Sequence, residues 1–296
     1  MPTAAPPVRP VTIEDIRAAR ERIRGVITRT PLIRLLHGVE GAPEIWLKLE
    51  NLQPINAFKL RGAANAVAML SPEARQKGVW TISAGNAGQG VAYAAREAGV
   101  PCTVVVIETA PDTKVERMRA LGATLVKAPF DDCWQAMEDR AFPGVEGTFV
   151  HPFDDHDFIA GNATIGLEIL EDLPHVRTVI TAIGGGGLIA GVGSAIRALA
   201  PRVFEKWEAS FVDGAGGKSI FPRMWERLKD VIDGSVVVTL GEVKAAMRIV
   251  ASKARVITEG AGALGVAAAL KEKDGPVVAV VSGGNIDLRK FCEIVS

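Results

Sequence analysis

An α/β fold of parallel sheets covered by helices is the class this sequence predicts, and two observations carry it. Short apolar runs rich in β-branched residues alternate with longer amphipathic stretches, the pattern of strands buried between helices. The chain has 296 residues, 48% of them hydrophobic, enough for a substantial core in two compact lobes or one large domain. The first element is a helix from Ile13 to Arg24, opened by Thr12 with Asp15 three residues on, a capping-box arrangement. A strand follows at Ile45 to Leu49. The helix after Lys59 gathers Leu60, Ala63, Ala64, Val67 and Leu70 on one face, which is expected to pack against a sheet. Further strands are predicted at Val79 to Ile82, Cys102 to Ile107, Thr124 to Lys127, Thr178 to Ile183, Ser235 to Thr239 and Pro276 to Val281. Between them, Pro111-Asp112 starts a helix that runs to Leu121 and is closed by Gly122. No internal repeat or low-complexity linker marks a domain boundary, so it is drawn from topology. Four strand-helix units between about Pro72 and Gly147 form a small lobe, residues 63–146, inserted into a larger one of residues 1–62 and 147–296.

Composition narrows the partners. Lys plus Arg and Asp plus Glu both number 34, so no basic field draws nucleic acid and a small molecule is the expected partner. Three cysteines, Cys102, Cys133 and Cys292, are too few and too scattered for a disulfide framework or a zinc site. Cys102 sits in an apolar strand and reads as a buried, inert thiol. The proline-rich start, Met1 to Pro10, has no hydrophobic run behind it, and no stretch reaches the roughly 18 apolar residues of a membrane span. A cytoplasmic protein without a membrane partner is expected.

Four segments carry candidate chemistry. In Ile183-Gly184-Gly185-Gly186-Gly187-Leu188, a strand passes into a helix through four glycines, so backbone N–H groups at a helix N-terminus face outward without side chains in the way. A phosphate cradle is favoured over a purely structural turn. Lys59, by itself, reads as a solvated helix lysine, but Phe58, Leu60 and the small Gly62-Ala63-Ala64 give it an apolar setting that lowers its pKa and makes it nucleophilic. Ser83-Ala84-Gly85-Asn86-Ala87 is a second strand-to-helix turn, suited to a carboxylate or to an ordinary helix cap. Ser282 ends the last strand, where it either points at a bound ring or caps a helix. The run His151 to His156 offers a metal or acid-base pair on paper, but helix initiation before Ile159 is favoured. An amine nucleophile and a phosphate cradle together are what a protein supplies to hold pyridoxal phosphate. The rival is a nicotinamide enzyme: Gly185, Gly187 and Ala190 fit a dinucleotide fingerprint with Glu205 as the ribose acid, though this leaves Lys59 without a role. A protein that only binds or regulates is the third possibility.

Read in order, Lys48-Leu49-Glu50-Asn51-Leu52-Gln53-Pro54, Phe58-Lys59-Leu60-Arg61-Gly62-Ala63, Ser83-Ala84-Gly85-Asn86, Gly184 to Gly187, Phe211-Val212-Asp213-Gly214, Glu259-Gly260-Ala261-Gly262 and Ser282-Gly283-Gly284-Asn285 resemble one family. It is the serine/threonine dehydratase and serine racemase branch of the fold-type II pyridoxal-phosphate enzymes. The resemblance runs from Val11 to Asp287. It implies a two-lobed fold in which each lobe is a mostly parallel twisted sheet flanked by helices, and a homodimer. It further implies that Lys59 forms the Schiff base with Phe58 beside the ring, that Gly184, Gly185, Gly186, Gly187 and Leu188 bind the phosphate, and that Asn86 meets the ring hydroxyl. Ser282 would face the pyridine nitrogen, and Ser83, Gly85, Asn86, Ala87 and Gly214 would bind the substrate. The implied reaction takes a β-hydroxy-α-amino acid, by default L-threonine or L-serine, to a 2-oxo acid and ammonia.

The sequence departs from the family at four places. Ile55-Asn56-Ala57 stands where Thr-Gly-Ser is usual, and Ala87 stands where a histidine is usual, which opens the pocket toward a bulkier β-substituent of the phenylserine or 3-hydroxyaspartate type. After Ala200-Pro201 the chain reaches Phe211-Val212-Asp213 within about a dozen residues, too short a stretch for the family's monovalent or divalent cation site to be carried over, so a bound cation stays open. Racemases of the branch carry a serine where this chain has Ala84, so a one-base enzyme that racemises poorly is expected. The chain also ends nine residues after Asp287, which sets the expectation of hyperbolic kinetics indifferent to isoleucine and valine.

Overall fold

The computed structural model describes residues 5–110, 112–199 and 221–296. Two four-stranded sheets organise it. The larger runs in the order β1 (Leu32–Leu35), β2 (Ile45–Leu49), β8 (Val277–Val281) and β7 (Thr178–Ile180), with β1 antiparallel to β2 and the other pairs parallel. The smaller is parallel throughout, in the order β5 (Thr124–Ala128), β4 (Cys102–Ile107), β3 (Val79–Ile82) and β6 (Thr148–Phe149). Strands covered on both faces carry side chains that are apolar in both directions, and β8, Val-Val-Ala-Val-Val, is buried at every position. The mostly parallel, two-sheet α/β fold expected from the sequence is the fold observed.

Helices α1 (Ile13–Ile23), α2 (Lys59–Ala68) and α3 (Pro72–Lys77) precede the smaller sheet, whose strands alternate with α4 (Asn86–Ala98), α5 (Asp112–Ala120) and α6 (Phe130–Asp139). Then come α7 (His156–Asp172), α8 (Gly187–Leu199), α9 (Pro222–Leu228), α10 (Leu240–Ile249), α11 (Gly260–Ala269) and α12 (Leu288–Val295). The capping box of α1 forms as read: the Thr12 hydroxyl accepts the Asp15 N–H at 3.2 Å, and the Asp15 carboxylate accepts the Thr12 N–H at 3.0 Å. Cys102 and Cys133 are buried, and burial pushes the Cys102 thiol up to about 12.

Three expectations need correction. The smaller sheet holds three strand-helix units rather than four, since α3 precedes its first strand and the two-residue β6 closes its edge. The run Ser235 to Thr239 is not a strand. Its last residue caps α10 instead, with the Thr239 hydroxyl accepting the Glu242 N–H at 3.2 Å, and β-propensity gives way where no strand pairs with it. Finally, α2 packs chiefly between α4 and α7, helix on helix, and is buried at every position from Leu60 to Val67. Glycines make that close approach possible. A Cβ on Gly90 of α4 would stand 3.1 Å from the Lys59 carbonyl oxygen, and one on Gly161 of α7 would overlap the Arg61 carbonyl. The backbone that carries Lys59 is therefore pinned on two sides.

Candidate active site

Lys59 is the first residue of α2, and the chain before it is tied to the end of β8. Phe58 N–H donates to the Ser282 carbonyl at 3.1 Å, Gly284 N–H donates to the Asn56 carbonyl at 2.9 Å, and Ala57 bridges Gly283. Asn56, in the place where the family usually has glycine, adopts φ +56°, a left-handed conformation that asparagine tolerates better than most residues.

Two residues into the helix, Arg61 lies at the centre of a buried ion network. Its Nε donates to Glu50 at 2.8 Å, its Nη1 to Glu168 at 2.7 Å, and Lys48 Nζ donates to Glu168 at 2.6 Å. Thr30, Thr164 and Gln53 complete the hydrogen bonding. Buried charges are costly unless paired and fully bonded; here two cations meet two carboxylates. Burial works against the Glu50 carboxylate, but the Arg61 guanidinium outweighs it and holds the pKa below the usual range. This network joins β2, α2 and α7 directly behind Lys59.

Among the described residues the Lys59 amine has no carboxylate partner. Its Nζ donates to the Pro152 carbonyl at 2.6 Å and lies 5.2 Å from the Phe58 ring centre and 5.4 Å from that of Phe158. Burial lowers its pKa to about 8. A lysine in this state is partly unprotonated near neutrality and nucleophilic.

Opposite the amine lies the glycine loop. Gly187 opens the 13-residue α8, whose first N–H groups have no intrahelical acceptor and carry the positive end of the helix dipole. Gly186 has φ +91°, a conformation that favours glycine. A Cβ on Gly185 would overlap the Phe153 ring, and one on Gly187 would stand 3.0 Å from Phe153 Cα. The loop thus lies flat on Phe153, with its amides free of side chains.

The third wall is the turn into α4. Gly85 N–H donates to the Ser83 hydroxyl at 3.1 Å, and Asn86 begins the helix. Asn86 is held from the other side of the cavity: its Nδ2 donates to Glu259 at 2.8 Å and its Oδ1 accepts from Asn285 at 2.8 Å. Ser282, 5% exposed, closes the ring of residues.

One cavity of about 380 Å³ gathers them. Phe58, Lys59, Ser83, Gly85, Asn86, Ala87, Gly184, Gly185, Gly186, Gly187, Leu188 and Ser282 all line it. Gly214, like Glu205 of the rival fingerprint, lies outside the described residues. Sequence reading assigned no site role to Pro152, Phe153, Met137 or Glu259, which also line the cavity. The signal for Phe153 was indirect: four flat glycines need a surface to lie on. The run His151 to His156 starts a helix, as favoured, with Asp155 capping α7 and His156 bonded to Asp15 at 3.2 Å. Among the described residues no cluster of His, Cys, Asp or Glu could hold a metal, and no helix is long and apolar enough to cross a membrane.

The donor set fits pyridoxal phosphate: a loop of glycines at a helix N-terminus that shares one cavity with a buried amine. Comparison with known proteins agrees. The chain is 40% identical to an L-threonine ammonia-lyase of Thermotoga maritima, over 97% of this chain and 78% of that one. It is 36% identical to a catabolic L-threonine dehydratase of Staphylococcus aureus, over 96% and 92%. The structure of maize serine racemase superposes with a TM-score of 0.87 at 29% identity, covering 96% of this chain and 97% of that one. The model of the pyridoxal-phosphate dependent enzymes matches residues 23–283, which include both Lys59 and the glycine loop, and the chain belongs to that family.

Proposed function

We propose that this protein is an ammonia-lyase that converts a β-hydroxy-α-amino acid, by default L-threonine or L-serine, to a 2-oxo acid and ammonia. The observation that carries the reading is the enclosed Lys59 amine, lowered to about 8, opening into the same cavity as the glycine cradle. Relatives named for threonine deamination, at 40% and 36% identity over nearly the whole chain, support the substrate class.

Bound pyridoxal phosphate supplies an electrophilic aldehyde and an electron sink for the α-carbon. The residues of this chain do the rest. Lys59 Nζ takes the α-proton, a task suited to an amine whose pKa is near neutral. The backbone amides from Gly184 to Leu188 hold the phosphate dianion. The turn from Ser83 to Ala87 would receive the substrate carboxylate at the start of α4, while Asn86 and Ser282 would hold the cofactor ring, Asn86 at its hydroxyl and Ser282 at its nitrogen. The β-hydroxyl leaves with a proton as water, and the resulting enamine tautomerises and hydrolyses to the 2-oxo acid and ammonia. The reading also includes a homodimer working in the cytoplasm, and a division into a lobe of residues 63–146 with β6 paired to its sheet and a larger lobe of residues 1–62 and 147–296.

A bulkier β-substituent is the second reading, favoured by the small Ala84 and Ala87 and the flexible Met137 on the cavity wall. Purified protein supplied with pyridoxal phosphate is incubated with L-threonine, L-serine, 3-phenylserine and 3-hydroxyaspartate, and 2-oxo acid release is measured. Highest kcat/KM on L-threonine or L-serine is expected. A clear preference for phenylserine or hydroxyaspartate moves the assignment to the second reading, and turnover of none contradicts both.

A further inference from the structure

The turn His151-Pro152-Phe153-Asp154, between β6 and α7, touches both halves of the site. Pro152 gives Lys59 Nζ its carbonyl acceptor at 2.6 Å, while Phe153 underlies Gly185 with its ring and Gly187 with its backbone. Two buried side chains, one at each end, hold the turn in shape.

His151 is 2% exposed, and its Nδ1 accepts the N–H of Phe153 at 3.3 Å and that of Asp154 at 3.0 Å. An Nδ1 that accepts requires a neutral ring with its proton on Nε2. Burial, with Arg140 nearby, lowers the His151 pKa to about 3, which keeps the acceptor available at neutral pH. The ring is wedged edge-on between Phe149 and Phe153, at 5.5 and 4.5 Å between centres.

Asp154 is 3% exposed and collects three guanidinium groups. Arg140, at the end of α6, donates to its Oδ2 at 2.9 Å and to its main-chain carbonyl at 2.6 Å; from α9, Arg223 donates to Oδ2 at 2.9 Å and Arg227 to Oδ1 at 3.1 Å. One carboxylate therefore ties the smaller-sheet helix α6 and the helix α9 to the turn that separates amine from cradle.

We infer that His151 and Asp154 are positioning residues that set, through this turn, the spacing of the Lys59 amine and the glycine cradle, and with it how tightly pyridoxal phosphate is held. The inference rests on the reading of the cavity as a pyridoxal-phosphate site. His151→Leu removes the acceptor, whereas His151→Asn places a carbonyl oxygen close to where Nδ1 stands; Asp154→Asn keeps the shape and removes the charge. Each apoprotein is titrated with pyridoxal phosphate by its visible absorbance, its melting temperature is recorded, and kcat and KM for L-threonine are measured.

His151→Leu and Asp154→Asn are each expected to weaken cofactor binding about tenfold and to lower kcat more than they change KM. His151→Asn is expected to recover affinity to within about threefold of the wild type, since it restores the turn's acceptor. If His151→Leu lowers the melting temperature yet binds the cofactor as the wild type does, or if Leu and Asn behave alike, the residues are merely structural and the inference is wrong. Should His151→Leu fail to fold, Asp154→Asn decides alone: wild-type cofactor affinity in that variant overturns the inference. A wild type that develops no visible band refutes the cofactor reading itself, a different failure.

Discussion

At the scale of single residues, reactivity here comes from what surrounds Lys59 rather than from the residue type. Among the described residues a carbonyl and two aromatic rings surround the amine without a carboxylate partner, and burial lowers it to about 8. The neighbouring Phe58, Leu60 and small residues announced that setting in the sequence. The Pro152 carbonyl did not, because it arrives from a turn far along the chain. We propose that Ala84 is the residue that separates elimination from racemisation. It lines the cavity and has no group that can carry a proton, so a proton taken by Lys59 from one face of the α-carbon has no side chain at position 84 to return it from the other. Wild-type protein incubated with L-serine should form almost no D-serine by chiral chromatography, and Ala84→Ser should raise that rate. Rapid D-serine formation by the wild type would overturn the one-base account.

At the scale of elements, α2 is the part on which the site depends. Arg61, Glu50, Glu168 and Lys48 lock it to β2 and α7, and Gly90 and Gly161 let its neighbours touch its backbone. Removing Glu168 strands the buried Lys48 and leaves Arg61 with Glu50 alone. Glu168→Ala should therefore cost about 3–5 kcal/mol of stability by denaturant titration, whereas breaking an exposed, solvent-screened pair such as Lys229–Glu226 should change stability far less. A loss below about 1 kcal/mol on Glu168→Ala would mean that water reaches the network. The apolar face of α2 was legible in Leu60, Ala63, Ala64 and Val67, but its partner was not, since a helix buried all round packs on helices or sheets with equal ease. For the same reason Ser235 to Thr239 misled: local propensity favours a strand, and only the fold reveals that Thr239 caps a helix instead.

At the scale of the whole molecule, the cavity lies where the smaller sheet's helix α4, the larger sheet's β8 and the start of α8 converge. The buried parallel strands were legible because both of their faces are apolar; β1 and β6 were not, being four and two residues long at sheet edges. The lining of the site was legible because its motifs sit at strand-to-helix turns, where backbone amides and small residues leave a mark in sequence. Since cofactor bound among these elements favours the folded state alone, saturating pyridoxal phosphate should stabilise the protein by about 2.7 kcal/mol at a hundredfold excess over Kd. A melting temperature independent of cofactor concentration would contradict a site built from both sheets. The central claim, that one amine serves this cavity, is tested most directly by the absorbance and threonine turnover of Lys59→Ala beside the wild type. The account predicts a folded variant with no visible cofactor band and no 2-oxo acid release, while a variant that keeps either the band or substantial turnover would contradict it.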